Sequence, residues 1–378
     1  MRIVFLRSNP VNPDPRVEKE VNTLIGLGHK ASILAWNRTV NKDEDLKNGE
    51  LHLQNGSVPI RYFNIKATFG GGIKNIFSLI LFLICQIVWL IKHRKNYDVI
   101  HACDFDTVIP AYICAKLFRK KYVYDIFDYY VEAYHVPSFL KNTVEKLDIC
   151  MINNSNAVII ANENRLQQIA KSTPENLYIV HNSPDVKFNL SVEPDVIIKP
   201  SNRLKFVYVG ILGKGRMLEE IIDMFGHHPE WELHIGGFGE LESYVIDRAH
   251  ENANIFFYGK IPYAKTLKLE SECDVLFAVY DPSVPNHRYS SPNKLYEALM
   301  LGKPIIVAEG TGIDELVKQN DIGKVVKYNK FSFEQACEQI EREFAKKEEI
   351  ARKARILYEN EYSWGIMEKR LGDLYDTL

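Results

Sequence analysis

The chain has 378 residues, 46% of them hydrophobic and 25% charged, with a formal net charge of −2. That length exceeds one simple core and suits two α/β domains, and the composition excludes a disordered chain. The near-neutral balance excludes nucleic acid as the main partner, although Lys92-His93-Arg94-Lys95 and Arg119-Lys120-Lys121 make the N-terminal half locally basic.

The opening Met1-Arg2-Ile3-Val4-Phe5-Leu6 reads as a short strand, because the apolar region of a signal peptide would be longer. Asn9 to Arg16 is a polar loop between strand and helix and should border a cleft. Arg16, just after Pro15, is read either as a phosphate or acceptor ligand or as a surface ion pair. An amphipathic helix follows from Arg16 to Leu27. Gly26-Leu27-Gly28-His29-Lys30-Ala31 imitates a dinucleotide fingerprint, but it follows a helix and precedes a strand, so it is read as a helix end. Ile33–Trp36, Asp98–Ala102, Tyr122–Tyr124, Ala157–Ala161 and Tyr178–His181 read as buried strands. Their alternation with helices implies a parallel sheet covered on both faces.

Ile76 to Ile91 is almost wholly apolar and is flanked by Lys74 and Lys92–Lys95. At about 16 residues it falls short of a bilayer span. Two readings stand: a buried crossover helix, or a helix lying in the membrane plane with its basic cluster on anionic head groups. Asp104-Phe105-Asp106 resembles the paired aspartates that hold a divalent metal in some sugar-transfer enzymes, but no other ligand cluster supports an ion and no metal site is expected. Asp125-Ile126-Phe127-Asp128-Tyr129-Tyr130 sits at a strand's carboxyl end. There Asp128, Tyr129 and Glu132 are candidate acceptor-site groups, with helix capping by Asp128 as the alternative. The six cysteines show no Cys-x-x-Cys spacing, which suits reduced, cytoplasmic thiols and no zinc.

Around Lys187–Asn202 the pattern weakens, and the domain linker is placed there. It restarts with strands at Leu204–Gly210, Glu232–Ile235, Ile255–Tyr258, Val275–Ala278 and Ile305–Val307. Gly210-Ile211-Leu212-Gly213-Lys214-Gly215-Arg216 leads into a helix over Met217–Phe225; its glycines let backbone approach a phosphate, and Lys214 and Arg216 add charge. Gly236-Gly237-Phe238-Gly239 is a second such loop. Then comes the most informative stretch, Asp281 to Asp314. Pro292 suits the first helical turn, Ser290 or Ser291 its cap, and Gly302 its left-handed end. A strand, the Gly310-Thr311-Gly312 loop and a helix opening at Ile313 complete a phosphate site. Lys294 and Glu297 point out of one helix start, where Lys294 can meet an anion and Glu297 can accept from a cis-diol such as ribose. The combination suggests a nucleotide-diphosphate site.

On these residues the chain resembles the family-4 retaining glycosyltransferases of the GT-B fold, most strongly over Tyr208–Val326. The resemblance implies an α/β fold of two Rossmann-like domains facing across a cleft. It divides the chain into an acceptor-side domain (1–190), a nucleotide-sugar domain (200–358) and a last helix (359–378) crossing back to the first. In that family the second glutamate of a Glu-x7-Glu motif binds the donor ribose, and its match is Glu297. Tyr289 stands where the first glutamate would be, and Phe127 where many relatives carry histidine; Asp128 matches. Asp128, Arg216 and Lys294 are then the expected catalytic groups. Gly210, Gly213, Lys214, Gly237, Gly239, Ser291, Asn293, Glu297, Gly310, Thr311 and Gly312 bind the donor. Asn9, Arg16, Asp104, Tyr129 and Glu132 lie on the acceptor side.

The implied reaction is same-face transfer from a nucleotide-diphosphate sugar, as co-substrate and with no cofactor, to a hydroxyl on a glycan or lipid-linked glycan in surface polysaccharide or glycoconjugate assembly. Basic groups and helix N-termini stabilise the leaving phosphate, so neither metal nor enzyme nucleophile is needed. The expected setting is cytoplasmic, with peripheral contact of residues 74–95 on the inner face of the plasma membrane. Two other readings compete. A nicotinamide or flavin oxidoreductase would need a glycine fingerprint after the first strand, where Ser8-Asn9-Pro10 stands. A catalytically idle, membrane-associated binding subunit would suit Tyr289 and Phe127.

Overall fold

The computed structural model describes residues 1–11, 13–39, 47–68, 72–134, 136–185, 198 and 201–378. The chain divides into two compact units: Met1–His181 with Met367–Leu378, and Asn182–Ile366. The expected linker at 187–202 lies mostly outside the described residues.

The first unit is built on β1 (Arg2–Arg7), α1 (Pro15–Gly26), β2 (Lys30–Asn37), β3 (Asn48–Leu53), β4 (Gly56–Asn64), α2 (Ile76–Lys92), β5 (Val99–Cys103), α3 (Phe105–Phe118), β6 (Lys121–Ile126), α4 (Tyr130–Ala133), α5 (Ser138–Asn154), β7 (Ala157–Ile160) and β8 (Leu177–Ile179). Its sheet runs β3-β4-β2-β1-β5-β6-β7-β8, parallel except where β3 pairs with β4. Strand order reverses between β1 and β5, so the crevice that such sheets offer to ligands opens beyond those two carboxyl ends. Val4, Phe5 and Leu6 are fully buried because a central parallel strand is covered on both faces. Helix α1 begins where Asp14 accepts from the Val17 N–H and Glu18 reaches back to the Asp14 N–H at 2.8 Å, a reciprocal cap.

The second unit contains β9 (Leu204–Ile211), α6 (Leu218–Gly226), β10 (Trp231–Phe238), α7 (Glu242–Glu251), β11 (Ile255–Phe257), α8 (Tyr263–Glu272), β12 (Val275–Ala278), α9 (Asn293–Leu301), β13 (Ile305–Ala308), α10 (Ile313–Asn320), β14 (Gly323–Val326), α11 (Lys330–Arg342) and α12 (Lys347–Leu357). Its parallel sheet runs β11-β10-β9-β12-β13-β14 and reverses between β9 and β12. Period-two alternation feeds two cores: Phe206 and Tyr208 face one, Val207 the other. Each large apolar side chain buried in them contributes roughly 1.5–3 kcal/mol.

The last helix, α13 (Trp364–Asp376), carries its C-terminal residues into the first unit. There Leu371, Leu374 and Tyr375 are fully buried, and Arg370 donates to the Ile179 carbonyl at 2.8 Å. The unit boundary falls inside this helix, at Met367. Strands β3, β4 and β14 are additions to the elements expected from sequence. Segment 76–91 is neither wholly buried nor wholly exposed: α2 turns Phe82, Gln86 and Leu90 inward and leaves Phe77, Leu81, Ile84 and Val88 outside.

Candidate active site

At the second unit's switch point the structure brings Gly210, Arg216 and Lys294 together with Tyr208 and Tyr280. The loop after β9 is tied to the end of β12 by the Asp281 N–H donating to the Gly215 carbonyl at 2.9 Å. Over this junction the Lys294 ammonium lies 4.3 Å from the Tyr208 ring centroid, and the Arg216 guanidinium 5.5 Å from that of Tyr280. Neither cation forms an ion pair with a carboxylate among the described residues. Burial works against the Lys294 charge, but Tyr280, Tyr208, Glu297 and Glu270 hold its pKa above the ordinary lysine value. A Cβ on Gly210 would stand 2.8 Å from Lys294 Nζ, so glycine there keeps the ammonium's place open. Lys214 is exposed, and its backbone N–H donates to Glu240 at 2.9 Å.

Lys294 and Glu297, expected to point out of one helix start, do not lie open to solvent. Both are buried, at 8% and 2% exposure. Glu297 lies against Tyr263 and Glu270 of α8. Burial, followed by Glu297, pushes the Glu270 carboxyl well above its usual range. Sequence reasoning missed Glu270, Tyr263, Tyr208 and Tyr280. The one signal was Glu270 at helical spacing from Thr266 and Cys273, on the face that becomes buried.

Several expected donor groups have another local reason to be what they are. The Ser291 hydroxyl meets the Tyr296 hydroxyl at 2.8 Å, while Pro292, with ψ 137°, takes the capping position itself; no serine side chain caps α9. Asn293 is half-buried at the first helical position. Gly302 ends the helix in left-handed geometry, as expected. Gly237 is required by packing: a Cβ there would overlap the Gly210 carbonyl oxygen of the neighbouring strand at 1.8 Å, and Gly239 meets Leu212 likewise. Gly213 has only ordinary contacts. In the Gly310–Gly312 loop, the Thr311 hydroxyl donates to the Ala308 carbonyl at 2.6 Å and the Gly310 N–H to Asp314 at 2.8 Å. That amide is therefore already held by an acid.

In the first unit the expected acceptor-side groups are mostly bound up with one another. Arg16 is not a surface residue. Its guanidinium pairs with Asp125 at 2.8 Å and Glu20 at 3.1 Å and donates to the Val180 carbonyl. Asn9 Nδ2 donates to Asp14, and its Oδ1 accepts from the Val11 N–H, so the amide folds its own loop. Asp104 pairs with Arg7 at 2.5 Å and accepts from the N–H groups of Phe127 and Asp128, so it does not turn to share an ion with Asp106. Burial raises the Asp104 carboxyl to about 7 against the pull of Arg7, with Asp106 and Asp128 adding to the rise. The guanidinium groups of Arg7 and Arg16 lie 4.1 and 4.8 Å from the Phe127 ring centroid. The capping position of α4 is Tyr129 and not Asp128; Asp128 pairs with Arg165 at 3.0 Å, and Glu132 accepts from Gln168 at 2.7 Å. Tyr129 is a core residue at 3% exposure. His101, Cys103 and Asp125 bring ligand-type atoms within 4.8 Å of one another in the interior. The Arg16 cation already neutralises Asp125 there, and Tyr375 binds His101 Nδ1 at 2.7 Å, so the donor set is poorly suited to a metal ion.

Residues 192–361 match the family glycosyl transferases group 1. No curated protein matches the chain. Among solved structures, a sucrose-phosphate synthase from Thermosynechococcus elongatus is similar over 100% of this chain and 98% of its own, at 16% identity and TM-score 0.76. HepE of Anabaena, in complex with UDP-glucose, is similar over the whole of both chains, at 15% identity and TM-score 0.69. The catalytic domain of starch synthase IV from Arabidopsis thaliana, bound to ADP and acarbose, is similar over 100% and 99%, at 13% identity and TM-score 0.67. Residues 192–361 therefore carry the glycosyl transferases group 1 match, within a chain whose two Rossmann-like units have the GT-B fold.

Proposed function

We propose that the chain is a retaining glycosyltransferase that takes a sugar from a nucleoside-diphosphate donor and moves it to a hydroxyl of a glycan or lipid-linked glycan. The observation that carries this reading is the pair of cations, Arg216 and Lys294, seated on Tyr280 and Tyr208 without a carboxylate partner among the described residues. Lys294 is buried and Arg216 half-buried. Glu297 and Glu270 support the Lys294 charge from nearby, but neither cation has a carboxylate within ion-pair distance among the described residues, which favours an anion of matching charge. A diphosphate fits, and Glu297 stands one turn further along α9, where it can accept from a ribose diol. A complex of the structural neighbour HepE with UDP-glucose agrees with that donor class.

In this reading Arg216 and Lys294 act on the charge that grows on the leaving diphosphate. Stabilising charge that develops only in the transition state raises turnover more than ground-state binding. The leaving phosphate oxygen takes the acceptor proton, so the reaction needs no side chain as nucleophile. The charge balance also makes the reaction independent of divalent metal, and full activity in EDTA is the expected result. An oxidoreductase reading is disfavoured by the family match and by Ser8-Asn9-Pro10 after β1.

The test is donor hydrolysis across a panel of UDP-, GDP- and ADP-sugars, followed by calorimetry on Glu297→Ala. Loss of the carboxylate should weaken binding of the accepted donor by roughly 1–3 kcal/mol. A folded mutant with unchanged affinity would remove Glu297 from the ribose, and no hydrolysis of any donor would favour a binding subunit.

A further inference from the structure

Helices α2, α3 and α5 form one layer over the first sheet, where Leu90, Ala111 and Met151 share a core cluster with Val4, Ile100 and Tyr124. Most of the first unit's exposed large hydrophobic side chains stand on the outer side of this layer. On α2 they recur at the spacing of one helical face, Phe77, Leu81, Ile84 and Val88, opposite the inward Phe82, Gln86 and Leu90. Phe77 is 83% exposed, and Phe139, at the start of α5, is 79% exposed. Folding against the sheet therefore leaves a second apolar face uncovered, which soluble monomers rarely do without use for it.

Charge says what covers it. From Leu51 to Tyr97 there is no Asp or Glu, while six Lys or Arg fall in the same stretch of a chain whose net charge is −2. Basic residues adjoin the apolar ones on all three helices: Lys92, Arg94 and Lys95 close α2, Lys116 and Arg119 flank Leu117, and Lys141 follows Leu140. The acid on this part of α5, Glu145, is taken by Lys171 at 2.8 Å. Exposed apolar side chains with exposed cations beside them in sequence match an anionic lipid surface, with acyl chains for the former and phosphates for the latter. A second copy of the chain would set like charges against like. No helix among the described residues is long and apolar enough to cross a membrane.

We propose that the outer face of α2, together with the adjoining ends of α3 and α5, docks the protein in the plane of an anionic lipid surface. This deepens the acceptor side of the function proposed above, because a lipid-linked glycan would be presented there. Vesicle binding is read without turnover, so its failure and the failure of the transferase reading are separate results.

The experiment is co-sedimentation of the full chain with phosphatidylcholine vesicles and with vesicles half phosphatidylglycerol, at low and high salt. The wild type should bind the anionic vesicles and release them as salt rises. Replacing Lys92, Arg94 and Lys95 with glutamine should lower partitioning by about fivefold per charge. Phe77→Glu and Phe139→Glu should each lower it at least about tenfold, since a charge replaces inserted apolar area, with no change in Tm because both positions are exposed. Absence of wild-type binding at low salt would overturn the proposal. So would binding indifferent to both phenylalanine variants, which would mean surface charge alone. If Phe77→Glu instead converts a dimer to a monomer and no vesicle is bound, the face is an interface between copies of the chain.

Discussion

Both units set cations on aromatic rings at the carboxyl ends of parallel strands, yet the two arrangements differ in one respect. In the first unit Arg7, Arg16 and Arg165 each close on a carboxylate: Asp104, Asp125 and Asp128. In the second, Arg216 and Lys294 lean on tyrosines and form no such pair among the described residues. A closed pair in the interior fixes geometry, because opening it would strand a charge. In the function proposed above, cations without such a pair are the ones available to an anionic ligand. The difference teaches that arginine at a strand's carboxyl end is not by itself a binding residue; its partners decide.

The largest effect should come from breaking the closed set. Arg16→Ala leaves Asp125 and Glu20 uncompensated in the interior and should cost about 3–5 kcal/mol of stability, read as a fall in Tm. Arg216→Ala should change stability by less than about 0.5 kcal/mol. Equal destabilisation by the two variants would erase the comparison.

Next come Arg216→Gln and Lys294→Gln, each expected to reduce turnover on the accepted donor by about 10²–10³-fold, the cost of removing one preorganised charge-stabilising group. Acceptor KM should move much less, and parallel loss in both parameters would argue against a transition-state role.

A pH-dependent effect follows from Asp148. Burial pushes its carboxyl to about 7, while Tyr124 donates to it at 2.7 Å. A carboxyl raised in the folded state is harmless when protonated and destabilises as pH rises from the unfolded value through 7. Asp148→Asn should therefore raise Tm at pH 8, with the gain shrinking as pH falls toward 4. A gain independent of pH would contradict the ionisation. The smallest effect should be that of Lys214→Gln, less than about tenfold on turnover, because this lysine is exposed and the cations on the Tyr208 and Tyr280 rings are Lys294 and Arg216.

How far the sequence could be read depended on whether a signal was local. The central strands of both sheets were legible as apolar runs, and Val275–Ala278 coincides with the structure. The β3–β4 hairpin was not: Asn48–Leu53 lies at the sheet's edge, with Leu51 its one buried residue, so it shows no apolar run. Lys294 and Glu297 were legible because one helix carries both. The tyrosines beneath the cations come from β9 and from the loop after β12, and Glu270 from α8; only folding brings them together. Arg16 was visible but ambiguous, since its partners Asp125 and Val180 are more than a hundred residues away in sequence. Nor could the sequence show that Gly237 answers a neighbouring carbonyl, because that contact exists only across paired strands.

The central claim is that the open cations of the second unit hold a diphosphate. Its most direct test is calorimetric titration of UDP, GDP and ADP into the wild-type chain and into the Arg216→Gln/Lys294→Gln double variant. At least one nucleotide should bind the wild type and lose at least about tenfold in affinity for a double variant of unchanged fold. Equal affinity in a folded double variant would contradict the claim.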